Sequence, residues 1–150
     1  MSPQVIKILI TGALFLHGLA HGKAFFALIT DAARTGGQAP VPIRSWLVPS
    51  LSPRAAAIIA SPFWLLSTLG FIAASLGLWG TFVPGEAWRP LAVVSSVISS
   101  LGIVLFSGIW PGAPNRRLSN LDTAIALVIN TVILVLLVLL DWPPETMFIK

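Results

Sequence analysis

The sequence contains no cysteine, which excludes disulfide exchange, thiolate metal sites and iron–sulfur clusters. It is almost as short of charge. Only 9% of its residues are Asp, Glu, Lys or Arg, 56% are hydrophobic, and the mean hydropathy is +0.92. Soluble domains average about 25% charged residues, so this chain cannot cover a water-facing surface. Its nine Lys and Arg residues give a net charge of +4. They are scattered, without the basic stripe that nucleic-acid binding needs. Phosphate loops and dinucleotide fingerprints do not occur. The interiors of the long apolar runs hold no carboxylate, so neither a Ser-His-Asp arrangement nor a pair of acids can be assembled there. These absences point to an integral membrane protein of one domain, residues 1–150, with binding, scaffolding or transport ahead of catalysis.

Four apolar runs, at about 5–30, 53–80, 88–110 and 121–140, are each long enough to cross a bilayer. The fold expected is an all-α bundle of four transmembrane helices with a long, partly interfacial first loop. A signal-peptide reading, with Ala20-His21-Gly22 as the cleavage site, competes poorly. The first run continues past that point through Phe25, Phe26 and Ile29. The connection from Asp31 to Ser52 holds Gly36-Gly37, Pro40, Pro42 and Pro49, too much proline for a continuous helix. Ile43, Trp46, Leu47 and Val48 suit the membrane interface; the simpler reading is a surface loop with one aromatic anchor. Ser52 is a suitable N-cap with Pro53 at the first helical position. Pro62 interrupts the second run, so a kink near Ile58 to Ser61 is expected, with neighbours satisfying the freed carbonyl. Asn120 is the expected N-cap of the fourth run, with Asp122 in its first turn. Asp141-Trp142-Pro143-Pro144 stops that run.

Loops 1 and 3 hold Arg34, Arg44, Arg54, Arg116 and Arg117, and the other side holds Lys7, Arg89 and Lys150. The positive-inside rule then places loops 1 and 3 in the cytoplasm and both termini outside. Trp79, Trp88 and Trp142 are expected at one interface and Trp46 and Trp110 at the other.

The first run carries Leu16-His17-Gly18-Leu19-Ala20-His21-Gly22, which contains both histidines of the chain. Helical spacing places His17 and His21 on one face, with Gly18 and Gly22 beside it. Strongly polar groups at mid-span usually face protein or water rather than lipid. Two histidines four residues apart can share a metal, but no third protein ligand is in reach, because Asp31 stands about 15 Å further along the helix. Haem is open to them only through a single axial ligand, or one histidine from each of two protomers. Hydrogen bonding to a quinone and proton relay are also open. The structural alternative is a His17 hydrogen-bonded to Asn130, the one strongly polar side chain inside the fourth run. Gly18 and Gly22, and the serines Ser95, Ser96, Ser99 and Ser100 of the third run, read as faces for close helix packing. Gly102, Ser107 and Gly108 extend the same pattern.

Leu-His-Gly-x-x-His followed by Phe25-Phe26, with Pro42-Ile43-Arg44 ahead of a Trp-containing second span, resembles a loose group of small prokaryotic four-helix membrane proteins, some of them similar to DoxX-type proteins. The resemblance implies a four-span bundle in a prokaryotic inner membrane and no particular chemistry. Three functions compete. The first is a non-enzymatic accessory or assembly subunit, packed against other membrane polypeptides or a second copy. The second is a redox-linked protein that binds haem, metal or quinone through His17 and His21. The third is a small transporter or channel subunit.

Overall fold

A computed structural model of the protein describes residues 2–33, 42–106, 110–144 and 147–148. It is all-helical, with no strand among the described residues. The helices are α1 (Pro3–Ala33), α2 (Pro53–Gly77), α3 (Trp88–Leu105) and α4 (Arg116–Leu134). A 3₁₀ turn, Gly85–Ala87, leads into α3, and a π-helical turn, Val135–Leu139, prolongs α4. With those turns included, all four are long and apolar enough to cross a membrane.

Glycines register the helices. A Cβ on Gly18 would meet Ile72 and Phe71 of α2, and one on Gly22 would meet Thr68. Rising numbers in α1 therefore run against falling numbers in α2. Gly70 faces Ser95, Gly77 faces Trp88, and Gly102 faces Phe63 and Trp64, so α2 and α3 are antiparallel as well. Small residues let the backbones approach, which is how helices gain packing energy where solvent gives no hydrophobic drive. Each helix packs closely on its successor in the chain. No comparable close approach joins α1 to α4 among the described residues.

The core has two layers. One gathers Ala24, Leu28, Ala57, Trp64, Phe106 and Trp110, and the other Leu14, Phe71, Ala74, Leu78, Trp88 and Ala92. The outer surface is apolar: Leu16, Phe26, Val128 and Leu139 are all more than 60% exposed. Water-soluble monomers do not expose apolar surface on this scale.

Several expected boundaries move, each for an identifiable reason. Ser52 does cap α2, accepting from the Ala55 N–H at 3.2 Å. Asn120 does not cap α4. Asn115, with extended backbone, accepts from the Leu118 N–H at 3.0 Å, so α4 begins a turn earlier and Asp122 lies beyond its first turn. The third run stops at Leu105 rather than Trp110. There the Trp46 indole N–H donates to the Val104 carbonyl at 2.6 Å, satisfying one of the four carbonyls that a helix leaves open at its C-terminus. Ile43 is buried in the core rather than interfacial, whereas Trp46, Leu47 and Val48 are exposed. Trp88 and Trp110 are likewise buried in the core. The carbonyl freed by Pro62 is satisfied locally, because Ser61 Oγ donates to Ile58 O at 2.9 Å. Ser107, Gly108, Gly36-Gly37 and Pro40 lie outside the described residues.

The tie between the first loop and α3 is testable. Trp46→Phe keeps an aromatic ring but leaves the Val104 carbonyl without its donor. A loss of about 1 kcal/mol is expected, the net worth of one such bond, measured by denaturant titration in micelles.

Candidate functional site

Halfway along the bundle four helices contribute to one buried polar cluster. His17 Nε2 lies 2.9 Å from Asn130 Oδ1, linking α1 to α4. The Asn130 amide donates to Ser99 Oγ at 2.8 Å and to Ser100 Oγ at 3.2 Å, linking α4 to α3. Ser99 Oγ lies 3.0 Å from His21 Nε2, which closes the circuit on α1. Phe71 of α2 supplies the floor. Its ring stacks on His21 at 5.7 Å between centroids and meets His17 edge-on at 4.7 Å. Trp110 covers His21 from the other direction at 5.1 Å. The Trp110 backbone is held in turn by Ser119 of α4, whose Oγ accepts its N–H at 2.6 Å.

The donors and acceptors fix the direction of the bond between His17 and Asn130. With both amide hydrogens of Asn130 directed at serine oxygens, its carbonyl must accept, so His17 carries its hydrogen on Nε2. That leaves His17 Nδ1 as an acceptor. Ser99 Oγ accepts from Asn130 and meets His21 Nε2, a contact that either tautomer of His21 completes. Among the described residues, His21 Nδ1 is buried without a partner, as are Trp64 Nε1 and Thr123 Oγ1.

Beside the cluster, α1 and α4 leave an open seam. A crevice of about 460 Å³ runs along it, lined by His17, Ala20 and Lys23 of α1, by Asp122, Ile125 and Ile129 of α4, and by Trp110. A second crevice of about 280 Å³ shares Ala13 and Ile129 with the first. It continues between Ile10 and Leu14 on one side and Ile133 and Leu137 on the other. The first is within the size range of small-molecule sites.

The sequence-derived residues divide between two jobs. His17, His21, Asn130, Ser99 and Ser100 come together as one hydrogen-bonded set. Gly18 and Gly22 face α2, away from any ligand. Ser95 and Ser96 return their hydroxyls to their own helix, at Leu91 O and Ala92 O. The serine stripe is thus a packing face over its first turn and a polar face over its second. Four residues around the cluster and its crevice were not singled out from sequence as parts of a site: Phe71, Trp110, Lys23 and Asp122. Lys23 and Asp122 were legible in principle. Once His17 and Asn130 are taken as level in antiparallel helices, a residue six beyond the histidine and one eight before the asparagine fall at similar height.

Chemically the cluster is a hydrogen-bonding device. No carboxylate touches either histidine in it, so it holds no oriented general base. Both Nε2 atoms are engaged within the bundle, and a metal or haem iron bound there would have to break those bonds. Among the described residues no group of three His, Asp or Glu side chains is placed to hold a metal. Compared with protein-family models, curated proteins and solved structures, the chain matches none.

Proposed function

We propose that the protein is a four-span protein of the prokaryotic inner membrane, with loops 1 and 3 in the cytoplasm and both termini outside. In this reading it is a non-enzymatic binding protein that takes a lipid-soluble molecule sideways from the bilayer. The observation that carries this is the position of His17. This mid-span residue both anchors the buried cluster and lines the crevice. That crevice is flanked by outward apolar side chains, Leu16 and Ile125. A site at this depth, rimmed by apolar surface, is reached from lipid rather than from water. The polar cluster behind it fixes the ring of His17 and supplies no catalytic base.

The accessory-subunit reading drew on slim Ser and Gly faces, and those faces are now occupied within the chain. It keeps one supporting feature: α4 is the least covered helix, with Leu121, Ile125, Val128 and Val132 exposed along its outer side. A native mass spectrum of protein extracted gently from its own membrane separates the two. A retained small molecule that is absent from His17→Ala is the expected result. Bound polypeptides without a small molecule would instead support the subunit reading, and a bare chain would count against both.

A further inference from the structure

Resting on that reading, we infer that the occupant of the α1–α4 seam is a quinol of the bilayer: a planar ring bearing hydroxyl groups, with an apolar tail. Three features of the seam select this class.

The first is the hydrogen-bonding sense of His17. Because Asn130 takes the hydrogen on Nε2, the remaining ring nitrogen accepts and does not donate. The partner it seeks is a hydroxyl. A bare carbonyl or ether offers it nothing.

The second is charge. Lys23 and Asp122 line the same crevice. One positive and one negative group at a single mouth disfavour a headgroup with net charge of either sign, so a phosphate or a fatty carboxylate would meet Asp122 in a poorly screened setting. A neutral ring with a second hydroxyl on its far side can hydrogen-bond to either. Lys23 is six residues from His17, about 9 Å along the helix, and its flexible stem shortens that reach.

The third is the change of lining along the seam. The head chamber is walled by the aromatic rings of His17 and Trp110, which favour stacking or edge contact with a planar ring. Past Ala13 and Ile129 the lining turns wholly apolar, with Ile10, Leu14, Ile133 and Leu137 beside Trp88 and Trp142. That is a channel for a hydrocarbon tail lying parallel to the helices. Acyl lipids share the tail but have no ring to place against the aromatics.

The test is a titration of the full-length protein in nanodiscs with a benzoquinol carrying a decyl tail, alongside the same molecule with both hydroxyls methylated. The quinol is expected to bind at least ten-fold more tightly than its dimethyl ether. Ala13→Trp is expected to abolish binding by filling the seam, since it leaves every hydrogen bond of the cluster in place. Circular dichroism of that variant checks that it still folds. Equal binding of quinol and dimethyl ether would overturn the inference, as would equal competition by diacylglycerol or unchanged binding in Ala13→Trp. If the quinol fails to bind while the native protein retains a different small molecule, the ligand class is wrong and the lateral binding site stands. If nothing is retained and nothing binds, both readings fall.

Discussion

Replacing Asn130 by leucine is expected to cost about 2–4 kcal/mol of stability, the largest loss available from a single polar side chain in this molecule. One substitution removes the acceptor of His17 and the donor to both Ser99 and Ser100. An individual interhelical hydrogen bond in a membrane averages only about 0.6 kcal/mol. The larger figure arises because the partners stay buried: His17, Ser99 and Asn130 itself are all at most 6% exposed. Each buried polar group left unmet costs about 1–3 kcal/mol. Leucine has the same branched heavy-atom skeleton as asparagine and is somewhat larger, so none of the change is a cavity. Unfolding by a graded denaturing detergent, followed by circular dichroism, gives the number. The companion measurement is the double variant His17→Leu with Asn130→Leu. It should be less destabilised than the two single variants summed, because removing both partners leaves fewer orphans. A loss below 0.5 kcal/mol in Asn130→Leu would show that the circuit does not hold the bundle together, on the net scale of a single hydrogen bond.

Gly102→Ala is the second large effect, and its cause is purely steric. The added methyl would lie 2.7 Å from Phe63 Cβ, 3.2 Å from Phe63 Cγ and 3.4 Å from Trp64 Cζ3. The nearest atom is a Cβ fixed to its own backbone, so relief requires α2 and α3 to separate. Overpacking of this kind costs about 1–3 kcal/mol. Alanine recovers about 1 kcal/mol of helix propensity, leaving a net loss of up to about 2 kcal/mol. Gly12→Ala is the matched control. It is also inside a helix, but a Cβ there meets nothing within 4 Å, so the same substitution is expected to raise stability by about 0.5–1 kcal/mol. Opposite signs at two helix glycines would separate packing from propensity in one experiment. If both variants moved in the same direction, the close α2–α3 approach would not be the controlling term.

Much of the architecture was legible because it rests on run length and on residues with strong local preferences. Four apolar runs, Ser52 before Pro53, and the stop at Asp141 need only local physics. The ends of the third and fourth helices were not legible for the same reason in reverse. Asn115 and Asn120 are equally good caps in isolation, and the choice between them depends on how Ser119 meets the backbone of Trp110, a tertiary contact. Trp88 and Trp110 looked like interfacial residues because tryptophan favours that depth, yet both are claimed by core packing. Within the site, His17 with Asn130 could be paired from depth and scarcity, since no other strongly polar side chain stood at that level. The crevice itself could not. It exists because α1 and α4 do not pack closely along their backbones, and a missing close approach leaves no mark on either sequence.

That open seam also says something about how the chain is put together. Since each helix packs on its successor, the close backbone contacts α1–α2, α2–α3 and α3–α4 can all form in the order in which the chain is synthesised. Contacts between neighbours in sequence form fastest, because little loop entropy is lost before they are rewarded. Among the described residues, the hydrogen bond from His17 to Asn130 ties the first helix to the last across 113 residues. The first helix is inserted with its histidine unmatched, and the partner arrives with the last. That hydrogen bond can form only once the fourth helix has been made, so it belongs to the closing of the bundle and not to its start.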